Sequence, residues 1–207
     1  IVGSGCGGNG TSFDDQQAYA PAIVKDTASA LTPCAGVAQG GVCYRMWYTG
    51  MSAGGRTRIG YATSANGITW TRVTGPLVAG SVLTAGSSGT FDAYDVAFSS
   101  VIKTDGIFKM WYAGFNENGL GSIGHATSTD AVNWTKVPGS LAGGAVLKAS
   151  GIGGRFDHTY VNTPFVLRDV ASPLLPCAGV ATGDVCYRMW FEGVNQENGY
   201  KFRIGYA

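Results

Sequence analysis

One phrase recurs three times in this chain and constrains most of what it can fold into. It reads YRMWYTG at residues 44–50, FKMWYAG at 108–114 and YRMWFEG at 187–193. A shorter echo follows each copy: RIGYATS from Arg58, SIGHATS from Ser122 and RIGYA from Arg203. An FD pair precedes each, at Phe13–Asp14, Phe91–Asp92 and Phe156–Asp157. Self-similarity of this kind marks an array of supersecondary units.

The copies align without gaps across the segment that opens on each FD pair. FDDQQAYAPAIVKD lies over FDAYDVAFSSVIKT and over FDHTYVNTPFVLRD. Their β-branched, apolar ends predict a first, inner strand. The Met-Trp-aromatic run predicts a second strand, closed by Gly50, Gly114 or Gly193. Asn and Gly then supply the backbone freedom of a tight turn, and the IGYA or IGHA run predicts a third strand. ITWTRV (68–73) and VNWTKV (132–137) predict a fourth in units one and two. Four antiparallel strands in fixed order describe a propeller blade. The expected fold is all-β: a β-propeller of four-stranded antiparallel blades, three in this chain, the last lacking its outer strand. The expected module is a single one over 1–207, with blades at 13–77, 91–141 and 156–207. Three blades are too few to close an ordinary propeller. The array is therefore expected to belong to a longer chain, or to associate with copies that cover its open faces.

Only 13% of residues are charged and the net charge is +1, so the basic footprint of a nucleic-acid binder is absent. No apolar run approaches the ~20 residues that span a bilayer. Four of the five cysteines fall in two copies of one module, PCAGVAQGGVC (33–43) and PCAGVATGDVC (176–186). Eight intervening residues suit a hairpin-loop disulfide, Cys34 with Cys43 and Cys177 with Cys186. A metal site would want further His or Cys at short spacing, and none is present. Paired disulfides point to an oxidising compartment, secreted or cell-surface. Cys6 is left over, free for another chain. Asn9 and Asn133 stand in glycosylation triplets.

The phrase FD…Y-R-M-W-Y-x-G…R-I-G-Y-A-T-S-x-N-G-I-x-W resembles the blades of the glycosidase-like five-bladed β-propellers. That superfamily includes arabinanases, β-xylosidases, invertases, levansucrases and mannoside phosphorylases. The resemblance covers nearly the whole chain and is specific for fold rather than activity. It implies a glycan or polysaccharide partner, no cofactor, and a funnel on the propeller axis where carboxylates from different blades act. Glycoside cleavage needs one carboxyl group to protonate the leaving oxygen and another to attack or to activate water.

The resemblance first suggests Asp14, Asp92 and Asp157 as that set. All three hold the same repeat position, however, and a turn-capping Asp is the plainer reading. Positions where the copies disagree are better candidates. Asp15, Asp95 and Glu192 supply one carboxylate per unit and form the expected catalytic set. His158, Tyr19, Tyr94 and Tyr160 are the expected substrate contacts. His125, which replaces Tyr61 and Tyr206, reads as a packed substitute. Trp47, Trp111 and Trp190 read as core, and Arg45, Lys109 and Arg188 as partners between blades. The competing expectation is a non-catalytic extracellular module that self-assembles through its open blade ends.

Overall fold

The computed structural model describes residues 11–197 and 199–207. Cys6 and Asn9 lie outside them. The chain is all-β: strands hold 48% of it, short helical turns 3%, and the sheet surface is curled.

Unit one runs through Gln17–Thr27 (β1), Val42–Met51 (β2), Thr57–Ser64 (β3) and Thr71–Val73 (β4), paired antiparallel in that order. Unit two repeats it with Asp95–Thr104 (β5), Ile107–Phe115 (β6), Gly121–Ser128 (β7) and Thr135–Val137 (β8). Leu147–Lys148 (β9) pairs back onto β7. Unit three contains Tyr160–Val170 (β10), Val185–Asn195 (β11) and Lys201–Tyr206 (β12). The fourth strands are shorter than the sequence suggests, for a local reason. The Asn66 side chain accepts the N–H groups of Ile68 and Thr69, and Asp130 accepts those of Val132 and Asn133. Those donors are withdrawn from any ladder, and pairing resumes only after Trp70 and Trp134.

Units two and three share one sheet, whereas unit one forms its own. The link is a single parallel pair, Tyr160 with Gly121. A Cβ on Gly121 would stand 3.2 Å from the Tyr160 side chain, so the glycine permits this approach. At the first junction Thr57 and Asp95 hold the matching places. There the Asp95 carboxylate, 2.8 Å away, takes the Thr57 N–H.

The FD phenylalanines explain the paired glycines. A Cβ on Gly60 or Gly124 would lie 2.2 or 2.1 Å from the ring tip of Phe13 or Phe91, and Gly50 and Gly114 touch the same rings. The closing glycine of β2 and the glycine of the IG step thus form one seat for one ring. The FD aspartates of units one and two brace their own units. Asp14 accepts the Tyr48 hydroxyl and pairs with Arg72, both at 2.9 Å. Asp92 accepts the Tyr112 hydroxyl at 2.9 Å and pairs with Lys136 at 2.6 Å. Burial, then the neighbouring carboxylate, pushes both tyrosines far above the ordinary phenol range.

The core lies between units. Trp47 is fully buried against Phe108 and Trp134 of unit two and donates to the Ala131 carbonyl. Trp111 packs at a tilt on Tyr187 of unit three. The matching Trp190 is half-buried. Ile59 and Ile123 have no exposure, yet their counterpart Ile204 is 72% exposed.

Two disulfides close the cysteine loops, Cys34–Cys43 and Cys177–Cys186. Arg45 reaches unit two, its guanidinium 6.0 Å from the Phe108 ring centre, whereas Arg188 bonds within its own unit. Each pins its own cysteine loop: Arg45 donates to Asp26, Tyr61 and the Thr32 carbonyl, and Arg188 to Asp169, Tyr206 and the Leu175 carbonyl. Unit two lacks the loop, and its Lys109 does cross, donating to the Tyr187 hydroxyl at 2.7 Å.

Candidate functional site at the strand mouths

The first strand β5 neighbours both β1 and β10, and all three carry the same irregularity. Their pairing slips after Tyr19, Ala97 and Asn162. Ala20, Phe98 and Thr163, one residue further on, each adopt positive φ. Such backbone costs about 1–3 kcal/mol at a non-glycine residue and persists only where its surroundings impose it. The neighbouring unit supplies the restraint at Phe98, whose N–H is held by Thr49 Oγ1. Nothing in the residue types, Ala, Phe and Thr, signals this bulge in advance. The residues that break the repeat stand mostly just before it, at the mouths of these strands.

At the first junction the mouth holds Tyr19, Arg56, Arg58, Tyr94 and Asp95. Asp95 is half-buried, and burial pushes its carboxyl up against the opposing pull of the Thr57 N–H, Arg56 and Arg58. Tyr19 is raised by burial and then by the Asp95 charge. Its ring meets Phe98 edge-on. The Arg56 guanidinium lies 3.7 Å from the Tyr94 ring centre. A carboxyl group raised by burial keeps its proton to higher pH than an ordinary aspartate, which suits a proton donor.

At the second junction Tyr160 packs on Phe115 and accepts a hydrogen bond from Gln196. His158 Nδ1 lies 3.6 Å from Glu197 Oε1. Glu197 is held low by the Gly154 N–H first, then by Asn195 and His158.

Asp15 is buried, with Oδ1 lacking a hydrogen-bond partner. Glu192 is half-buried on the second strand of unit three, registered with Asn162 and Ile204. No hydrogen bond or ion pair among the described residues joins Asp15, Asp95 and Glu192. In the other proposed set, Asp14 and Asp92 are committed to their tyrosine and cation. Asp157 differs: Phe191 replaces the tyrosine, Arg155 is 3.7 Å away, and Oδ1 is buried without a hydrogen bond. Asn133 is exposed, and its side-chain amide is bonded to Asp130. His125 packs on Trp111, and burial, then Lys109, lowers its pKa. Among the described residues no three His, Cys, Asp or Glu side chains gather as metal ligands would.

Sequence reasoning overlooked Arg56, Arg58, Asn116, Lys148 and Glu197. The signal was present in the turns: MSAGGRTR of unit one aligns with FNENGLGS of unit two, so Arg56 and Arg58 face Leu120 and Ser122.

No protein-family model matches this chain, and no curated protein matches it. Solved structures do, and they place it in the all-β, glycosidase-like fold class with a curled sheet. It is similar to Zg3597, a family 117 glycoside hydrolase of the marine bacterium Zobellia galactanivorans, with TM-score 0.59 and 15% identity over 92% of this chain and 51% of that one. It is similar to an N-acetylgalactosamine deacetylase from F. plautii, solved with blood group B trisaccharide, with TM-score 0.56 and 18% identity over 79% and 46%. A glycosyl hydrolase from Bacteroides ovatus gives TM-score 0.53 and 16% identity over 91% and 52%. The chain thus spans about half the length of the structures it matches. At these identities the likeness is one of fold.

Proposed function

We propose that this chain is part of a secreted, carbohydrate-acting β-propeller, each four-stranded unit being one blade, over 13–77, 91–141 and 156–207. The observation that carries the reading is the placement of the repeat-breaking polar residues. Asp15, Tyr94, Asp95, His158 and Tyr160 all stand at the mouths of first strands, where a funnel on the axis would receive a glycan. Glycoside hydrolases and a carbohydrate deacetylase among the structures of similar fold support the same class of partner. Two disulfides, and no helix among the described residues long and apolar enough to cross a membrane, are consistent with an extracellular protein.

In this reading Asp95 is the proton donor, because its carboxyl is the one held high by burial. Asp15 and Glu192 are the candidate base and partner acid, and Tyr19, Tyr94, Tyr160 and His158 contact the sugar. Asp14, Asp92 and Asp157 form the alternative set, to which Asp157, without a tyrosine partner, is the best suited. The test is hydrolysis and binding across a panel of plant and host polysaccharides, with Asp95→Asn beside the parent. Loss of turnover with retained binding supports hydrolysis at this mouth. Turnover unchanged in Asp95→Asn removes Asp95 from the chemistry.

A second reading has its own observation. The face bearing Ile204 is open where its counterparts Ile59 and Ile123 are closed. A non-catalytic adhesion module would use that face to bind a further blade or a second copy. Concentration-dependent association in sedimentation velocity, abolished by Ile204→Glu, supports it; a monomer at all concentrations opposes it.

A further inference from the structure

The repeat lets the two junctions be compared position by position. Between units two and three, at the strand-mouth end, lies a cavity of about 590 Å³, within the range that small-molecule sites occupy. Its wall includes Asn116, Ser122, Lys148, Ser150, His158 and Thr159. The first junction has larger groups in the matching places. Arg58 stands for Ser122, Arg56 for Leu120 and Tyr94 for Thr159. There Arg56 and Tyr94 stack at 3.7 Å, and Arg58 lies close enough to Asp95 to act on its charge. Exchanging those long side chains for a leucine and two small hydroxyl residues leaves the second junction open.

The exchange also changes the chemistry of the wall. His158 replaces Ala93. Its Nδ1 is buried without a hydrogen-bond partner, beside Glu197 at 3.6 Å. Lys148 stands where unit one has Thr84, by the shared pairing of β7 with β9. The wall contains one lysine and one histidine and no carboxylate. Phe91, Leu120, Ala142 and Ala149 give it apolar surface, and hydroxyl, amide and backbone groups make up the rest. A polyhydroxylated ring can satisfy such a surface, and an anionic substituent on that ring would complement the cation.

We propose that this cavity binds one acidic sugar residue of a glycan, bearing a carboxylate or sulfate. Lys148 faces the anionic group, and Asn116, Ser122, Ser150 and Thr159 bond its hydroxyls. The proposal rests on the carbohydrate reading above and names the class of sugar. The test begins with an array of uronic-acid, sulfated and neutral oligosaccharides of matched ring stereochemistry, followed by titration calorimetry of the binders. Acidic glycans should bind at least about tenfold more tightly than their neutral counterparts, the scale of one charge-assisted contact. The uronic-acid and sulfated arms distinguish the two sources of charge. Lys148→Met should erase the preference, bringing acidic glycans down to the affinity of their neutral counterparts. The double variant Ser122→Arg/Thr159→Tyr restores residues that the first junction accommodates. It should abolish acidic-glycan binding while keeping a cooperative melting transition. Equal affinity for acidic and neutral glycans, or full binding by the plugged variant, overturns the site and leaves the carbohydrate reading standing. No binding to any glycan overturns both.

Discussion

Replacing Arg45 by methionine removes a buried side chain that donates to five groups while keeping most of its volume. The side chain has no exposure and donates to Asp26 at 2.6 Å, to the Tyr61 hydroxyl at 2.7 Å and to the Thr32 carbonyl at 2.7 Å. Asp26 also holds Lys103, so its carboxylate is not stranded, and the full penalty of a broken buried pair does not apply. The Thr32 carbonyl and Tyr61 hydroxyl do lose their donor inside the protein, at about 1–3 kcal/mol each. With part of the ion-pair loss added, Arg45→Met should cost about 3–5 kcal/mol. That is a large share of the ~5–15 kcal/mol typical of a domain. Arg188 makes the same set of contacts in unit three, but Asp169 is 40% exposed and water can replace the lost partner. Arg188→Met should therefore cost clearly less. Urea unfolding followed by tryptophan fluorescence measures both. At a slope of roughly 2 kcal/mol per molar, the Arg45 midpoint should fall by about 2 M. Equal losses in the two variants would refute the reasoning that burial, rather than contact number, sets the value of the arginine.

Two further outcomes follow from the same braces. Phe191→Tyr should restore to Asp157 the hydroxyl that Tyr48 and Tyr112 give Asp14 and Asp92. It should raise stability by about 1 kcal/mol, read as a higher melting temperature; a decrease would mean the Asp157 pocket is not the equivalent site. Asp26 supplies a pH test. Burial alone would raise its pKa, but hydrogen bonds from Lys103 and Arg45 outweigh burial and hold it below the usual value. A carboxyl depressed in the folded state adds stability above its unfolded pKa, near 3.9, and loses it as pH falls through the folded value. Asp26→Asn should therefore be less stable than the parent at pH 7, and the gap should shrink below about pH 4. A gap independent of pH would remove Asp26 as the source.

Much of the architecture was legible because repetition supplies its own alignment. The Met-Trp phrase marks the second strands, the IG step the third, and the PCAGV modules the disulfides. What escaped has physical causes. The seat for the FD ring requires two glycines on adjacent strands, a relation across the ladder rather than along the chain. The bulges at Ala20, Phe98 and Thr163 are imposed on residues with no preference for positive φ, so composition is silent about them. The loop-pinning role of Arg45 and Arg188 escaped because part of it falls on the Thr32 and Leu175 carbonyls, backbone that one-letter codes do not describe.

The candidate site divides in the same way. Comparing the first strands alone draws attention to Asp15, Asp95 and His158, because there the copies differ in charge. The turns differ more quietly, by size: Arg56 and Arg58 against Leu120 and Ser122. A difference in size becomes meaningful only once two turns are known to occupy equivalent junctions. Then one junction is seen filled by its own side chains and the other left open, with His158 and Lys148 on its wall. The scaffold is shared by both, so it cannot account for the contrast. Whatever selects the open junction must act on the side chains that line it, and a ligand that enters there is the simplest physical agent able to do so.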